Sequence, residues 1–168
     1  MNLKKAIIVD LDGCLFDTSE VIELLPNDAL EWTREQWDVF QENYNRDFPI
    51  IKFVKRTIGE WGKTHSILFV TSREARNNVV NYTLRAIQEC FKEELSSQRG
   101  SFYSEGYIKH YELLMRNDCD YRSSSEVKKD IYTMFIKDRY DVEFAIDDEQ
   151  QNIDMWVSLG IPCLKVVR

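Results

Sequence analysis

The stretch Ala6–Asp17, AIIVDLDGCLFD, decides the fold. Four apolar residues, Ala6 to Val9, end abruptly in Asp10 and Asp12, and Gly13 follows. A short apolar run closed by a turn signal reads as a buried strand of a parallel sheet, and ligands of such sheets gather beyond the carboxyl ends of the strands. VEFAIDD ends the same way, in Asp147 and Asp148. If both strands share one sheet, four carboxylates meet at one edge, and that crowding calls for a cation or shifted pKa values.

Further strand candidates are Ser66 to Thr71, Tyr111 to Met115 and Cys163 to Val167, beside Lys5 to Asp10 and Val142 to Asp147. Helical signals separate them, and this alternation predicts an α/β fold: a Rossmann-like parallel sheet of about five strands sandwiched by helices. Thr33 with Gln36, Ser123 with Glu126 and Asp148 with Gln151 have capping-box spacing, and Trp32 and Trp37 fall at the staple positions of the first. The helix opened at Asp148 is expected to stop near Gly160, ahead of Pro162. Glu74 to Leu95 reads as one long helix on the sheet, and SSQRGS on to Gly106 as a loop.

About fifty residues separate the first two strands, more than a crossover helix and its loops require. An insertion at about residues 17–64 is therefore expected: a small helical cap carrying Trp32, Trp37, Phe40 and Tyr44 at helical spacing, which buries its own aromatics and overhangs the carboxylate edge. The 168 residues, 43% of them hydrophobic, suit one compact domain with such an insertion. A net charge of −7 argues against broad neutralisation of duplex phosphates but leaves room for a pocket that takes one phosphorylated end. Cys14, Cys90, Cys119 and Cys163 are scattered and only two histidines accompany them, so neither a zinc site nor a disulfide framework is indicated. The apolar run after MNLKK is too short for a signal-peptide core and no later run approaches a membrane span, so a cytoplasmic location away from membranes is expected.

Two acids two residues apart at a strand end suit a division of labour. Asp10 is the candidate nucleophile toward a phosphoryl group, forming an acyl phosphate, while Asp12 protonates the departing alcohol and then activates water. Magnesium suits the hard oxygen ligands, with Asp147 the natural second carboxylate and Asp148 helping from the next turn. LFVTSRE puts Thr71 at a strand tip, with Ser72 and Arg73 expected at the start of a helix, where a hydroxyl and free amides form an anion site. Lys128, one turn into the helix of SSSEVKKDI, is placed to bring an ammonium to the same phosphate, with Lys129 its neighbouring competitor. A lone DxDG is ordinary turn chemistry, and an EF-hand would need Gly13 two places later. Thr71, Lys128 and the second aspartate pair make the set specific. His65 and His110 have no partner at metal spacing and read as structural or exposed; Trp156 reads as core.

DLDGCL, VTSRE, VKKDI and AIDDEQQ, in that order over nearly the whole chain, resemble the four motifs of the haloacid dehalogenase-like (HAD) phosphatases. The resemblance implies Asp10 as nucleophile, Asp12 as acid/base, Thr71 and Lys128 on the phosphate, and magnesium on Asp10, Asp147, Asp148 and the backbone carbonyl of Asp12. Cys14 stands where that family usually carries Thr or Val, a position read as structural. LLMRNDCDYRSSSEVKKDI and the series running through Trp156, Gly160 and Cys163 are similar, more narrowly, to the phosphatase domain of phage polynucleotide kinase/3′-phosphatases. That likeness implies that Arg73, Arg116 and Arg122, with Ser72, help to hold the phosphorylated end of a nucleic acid. Arg116 and Arg122 fit equally well as surface partners of Asp118 or Asp120. No GxxxxGK[ST] of a kinase P-loop is present. The expected substrate is a nucleic acid 3′-phosphate. The alternatives are a mononucleotide or other small phosphate ester, favoured by the acidic insertion, and a non-catalytic protein that binds phosphorylated ligands.

Overall fold

A computed structural model describes residues 3–22, 33, 35–36, 48–92 and 110–167. Its centre is a five-stranded sheet of β1 (Lys4–Val9), β2 (Ser66–Glu74), β3 (Tyr111–Arg116), β4 (Tyr140–Asp147) and β5 (Cys163–Lys165), ordered β3-β2-β1-β4-β5. Every pairing is parallel. Among the described residues four helices accompany it: α1 (Lys52–Trp61), α2 (Asn77–Cys90), α3 (Ser124–Ile131) and α4 (Gln150–Ser158), with a short helical turn at Ser19–Ile22 and a π-helical turn, Tyr132–Ile136, continuing α3.

The strands alternate in period two, as a sheet covered on both faces requires. Ile7, Val9 and Phe69 face one core layer with Val54 and Ile58 of α1 and Ile87 of α2. Ala6, Ile8, Leu68 and Val70 face the other, with Val127 and Ile131 of α3 and Met155 and Trp156 of α4. Each such side chain removed from water contributes about 1.5–3 kcal/mol, so the two layers hold the strand ends in fixed register. From β1 the chain crosses to β2 and β3 on one side, and β4 and β5 continue on the other. The reversal falls between β1 and β4, so a crevice is expected beyond Val9 and Asp147, where Asp10 and Asp148 follow.

Three local signals act as expected. Ser123 caps α3 in a full capping box with Glu126. Thr33 and Gln36 bond each other reciprocally, Thr33 N–H to Gln36 Oε1 at 2.7 Å and Gln36 N–H to Thr33 Oγ1 at 3.3 Å. Gly160 adopts φ 81° directly after α4, where a left-handed residue ends the helix.

Two expectations are corrected. Asp148 does not cap α4, which begins at Gln150 after Glu149 and has no side-chain cap. The first-turn amide of Glu149 donates to Asp147 Oδ1 at 3.3 Å instead, and Asp148 is left to face the crevice cluster described below. Ser72 and Arg73 do not open a helix either: β2 runs on to Glu74 and α2 starts only at Asn77. The register against β3 jumps from Thr71–Met115 to Glu74–Arg116, so Ser72 and Arg73 form a bulge that re-aims their side chains. Trp32, Trp37, Phe40, Tyr44 and the 96–106 loop lie outside the described residues.

Candidate active site

At the end of β1 the chain turns sharply through the DxDG segment. Gly13 takes φ 76°, its amide donates to Phe16 O at 2.8 Å, and the amides of Leu15 and Phe16 both reach Leu11 O at 2.9 Å. A side chain at position 13 would be strained at that φ, which accounts for the glycine. The turn fixes Asp10, Asp12 and Cys14 around one point, with Asp10 tied to β4 by its amide, 3.0 Å from Ile146 O.

Lys128 is the hub of the buried charge. Its Nζ donates to Asp10 Oδ1 and to Asp147 Oδ2, each at 2.8 Å, and all three side chains are almost fully buried. Burial works against the ammonium, but Asp10 and Asp147 outweigh it and hold the Lys128 pKa above its ordinary value. Burial pushes the Asp10 carboxyl well up; Lys128 opposes this, and Asp147, Asp148 and Asp12 add to it. Lys129, the competitor, is exposed.

Asp147 is saturated by protein donors. Its Oδ1 accepts from Asn152 Nδ2 at 3.0 Å and Glu149 N–H, and its Oδ2 accepts from Trp156 Nε1 at 3.3 Å as well as from Lys128. A carboxylate with both oxygens so engaged is built to orient the lysine. Asp147, expected as the ion's second carboxylate, thus meets four protein donors in this structure. Among the described residues, Asp10, Cys14 and Asp148 each present a ligand-type atom within 4.8 Å of the other two. Two hard carboxylate oxygens in this group, beside a locus where burial disfavours negative charge, fit a divalent cation.

Asp12, partly exposed, faces Arg73. The guanidinium is buried and grips both carboxylate oxygens, Nη2 to Oδ1 at 2.7 Å and Nε to Oδ2 at 2.9 Å, while Nη1 donates to Thr83 Oγ1 at 3.1 Å. Phe16 lies under it, 5.6 Å from Cζ to ring centroid. Arg73 thus positions Asp12 in the resting site, a role the sequence reading did not assign. Arg116 also acts inside the protein. Its Nε donates to Ser72 O at 2.8 Å and its Nη1 to the carbonyls of Asp120 and Arg122 at 2.7 and 2.6 Å, stapling the β2 bulge to the following loop. Arg122 is half exposed and pairs with Asp120 and Asp130. All three arginines expected on the substrate are engaged with protein partners.

Thr71 is buried at the β2 tip, and its Oγ1 accepts from Arg73 N–H at 3.2 Å. Ser72 Oγ and Ser124 Oγ lie 2.6 Å apart, joining the bulge to the first residue of α3. Beside Asp148 a cavity of about 400 Å³ is lined by Asp17, Ser19, Lys165, Val166 and Val167. The sequence reading took Cys14 as structural, and the residue is indeed buried in the core, with its sulfur within 4.8 Å of ligand atoms of Asp10 and Asp148; Asn152 and Thr83 were not anticipated. It placed Trp156 in the core, where it is fully buried, but not its bond to Asp147. His65 is buried against Thr64 and Glu143, and no helix among the described residues is long and apolar enough to cross a membrane.

Residues 4–168 match the family model for the polynucleotide kinase PNKP phosphatase domain. Among solved structures, a chain of a Pnkp1/Rnl/Hen1 complex is 25% identical with a TM-score of 0.65, covering 99% of this chain and 47% of that one. A chain of the Pnkp1/Rnl/Hen1 RNA repair complex is 24% identical with a TM-score of 0.66, covering 98% of this chain and 42% of that one. A haloacid dehalogenase-like hydrolase from Xanthomonas campestris shares the fold at 7% identity and a TM-score of 0.52, over 98% of this chain and 84% of that one. The chain thus spans less than half the length of the two complex components it matches. With the family model covering the sheet, the DxDG turn, the bulge and the Lys128 helix together, this chain belongs to the HAD-like phosphatase domains of the polynucleotide kinase PNKP family.

Proposed function

We propose that the chain is a magnesium-dependent phosphomonoesterase that works through an aspartyl phosphate on Asp10 and removes the 3′-phosphate from nucleic acid ends. The observation that carries this reading is the Asp10–Lys128–Asp147 bridge set beside Asp12, because it presents a nucleophile, a fixed positive charge and an acid/base at one crevice. Asp10 and Asp148 would hold magnesium, with Asp12 joining through its backbone carbonyl as the family resemblance implies. The ion, when bound, screens the crowded carboxylates and withdraws charge from the phosphoryl oxygens.

Asp10 attacks phosphorus with a carboxylate oxygen, and the bond from phosphorus to the alcohol oxygen breaks. Lys128, held by Asp147, keeps its ammonium against the charge that spreads over the equatorial oxygens. Asp12, once it has left at least one of its two bonds to Arg73 and taken up a proton from solvent, gives that proton to the departing oxygen. Water then attacks phosphorus, passes a proton to Asp12, and the Asp10 ester oxygen leaves as carboxylate. Thr71 and Ser72 supply hydroxyls at the β2 end. The RNA repair complex to which a matching chain belongs makes an RNA end the natural polymer to test.

A second reading keeps the chemistry and takes a mononucleotide or other small ester, favoured by the net charge of −7, which repels a long polyanion. Phosphate release from a 3′-phosphorylated oligonucleotide is to be compared with release from 3′- and 5′-mononucleotides under magnesium. Faster turnover of the oligonucleotide supports the first reading. Equal or faster turnover of the mononucleotides transfers the assignment to the second, and no release from any of them refutes both.

A further inference from the structure

Cys14 stands in the Gly13 turn with no exposed surface, and among the described residues its thiol makes no hydrogen bond. Its sulfur is aimed at the crevice, within 4.8 Å of carboxylate oxygens of both Asp10 and Asp148. The thiol also packs in the core layer with Ile7, Val9 and Leu15, and burial, then the charges of Asp10, Asp147 and Asp148, push its pKa up, so only a bound cation would displace its proton. Around it four carboxylates meet the two cations Lys128 and Arg73, so the locus as a whole attracts positive charge.

Magnesium gains little from sulfur, because it is a hard ion that demands oxygen at octahedral positions. Thiolate is a soft ligand and selects thiophilic metals. Zinc binds sulfur at about 2.3 Å and carboxylate oxygen at about 2.0–2.2 Å, so a sulfur and an oxygen ligand of one ion stand up to roughly 4.4 Å apart. The ligand-type atoms of Asp10, Cys14 and Asp148 all lie within 4.8 Å of one another, which lets one such ion reach all three after small side-chain shifts.

We propose that Asp10, Cys14 and Asp148 form a binding site for a thiophilic divalent cation of the zinc or cadmium class, which competes with magnesium and silences Asp10. As the sulfur–metal bond forms, the thiol releases its proton to solvent, and no electron changes hands. The bound ion consumes the Asp10 oxygen that attacks phosphorus, so the same three residues hold the enzyme off. This rests on the reading that Asp10 and Asp148 face a divalent ion, and it makes Cys14 the residue that sets which ion inhibits.

The test is a cadmium titration of metal-free protein in a Cys119→Ser, Cys163→Ser background, followed by the ultraviolet sulfur-to-cadmium charge-transfer band. The band is expected to saturate at about one ion per chain and to be driven out by excess magnesium. Cys14→Val is expected to abolish it and to weaken cadmium binding at least about tenfold, the lower bound seen when even the shell around a ligand is disturbed. Cys14→Ser serves if the valine variant does not fold. A band unchanged in the Cys14 variants, a band that magnesium never displaces, or a cadmium-113 resonance typical of oxygen-only ligation overturns the proposal. The optical signal needs no turnover. An inactive protein that shows the band refutes the phosphatase reading alone, and an active phosphatase without it refutes this inference alone.

Discussion

Replacing Lys128 by Met removes the one side chain that bridges Asp10 and Asp147, each 2.8 Å from its ammonium, and leaves two buried carboxylates without their cation. Breaking a buried ion pair from one side costs about 3–5 kcal/mol, because the remaining charge has no solvent to turn to. For a domain of this size, roughly 2–4 °C of melting temperature accompanies each kcal/mol, so Lys128→Met should melt roughly 6–20 °C below the parent in chelator near neutral pH. The sign of the pH dependence follows from Asp10, whose folded pKa lies above its unfolded value. Such a group favours the fold fully only below the unfolded pKa of about 3.9, and that contribution is lost as pH rises through the folded value. Without Lys128 the folded value rises further, so the deficit should be small near about pH 4 and grow toward neutrality. Magnesium should recover part of it. The assay is thermal melting by circular dichroism at the two pH values, with chelator or magnesium. A variant that melts within about 2 °C of the parent at neutral pH in chelator, less than 1 kcal/mol by the same scaling, would refute the claim that Lys128 neutralises buried acids.

Asp10→Asn should abolish phosphate release, by about four orders of magnitude or more, as loss of a nucleophile does elsewhere; a chromogenic aryl phosphate reads it. Arg73→Lys keeps the charge but loses the fork that grips Asp12 at two points, so kcat should fall about 100-fold with KM little changed, the cost of a misplaced catalytic group. Trp156→Phe removes the Nε1 bond to Asp147 and should cost about 1 kcal/mol of stability with a modest loss of kcat, measured by denaturant melts and steady-state rates. Magnesium at about 100 times its dissociation constant should stabilise the parent by about 2.7 kcal/mol, and Asp148→Asn should lose most of that gain in a thermal-shift titration.

The strands were legible because four of the five are short apolar runs punctuated by carboxylate, hydroxyl or glycine signals, and their ends match the sheet to within a few residues. The convergence of Asp10 and Asp147 was expected only on the condition that both strands share one sheet, and the β1–β4 adjacency, which no residue pattern records, brings both ends to one crevice. What stayed hidden depends on side-chain direction. A bulge at Ser72 and Arg73 is a two-residue slip in register that hydrophobic pattern does not record, and it converts an expected anion site into the clamp on Asp12. The partners of Asp147 likewise turn on where α4 begins, because only then do Asn152 and Trp156 come round to meet it. Cys14 read as structural because a single thiol carries no spacing; only the fold of the Gly13 turn shows what it faces.

The most direct test of Asp10 as nucleophile is to quench the protein during turnover with magnesium and a 3′-phosphorylated oligonucleotide, reduce with borohydride, and map the product by mass spectrometry. Reduction cleaves an acyl phosphate to an alcohol, so residue 10 should be recovered as homoserine, in amounts that rise with substrate and vanish in Asp10→Asn. Unmodified Asp10 in a protein that is turning over, or the modification at another carboxylate, would contradict the account.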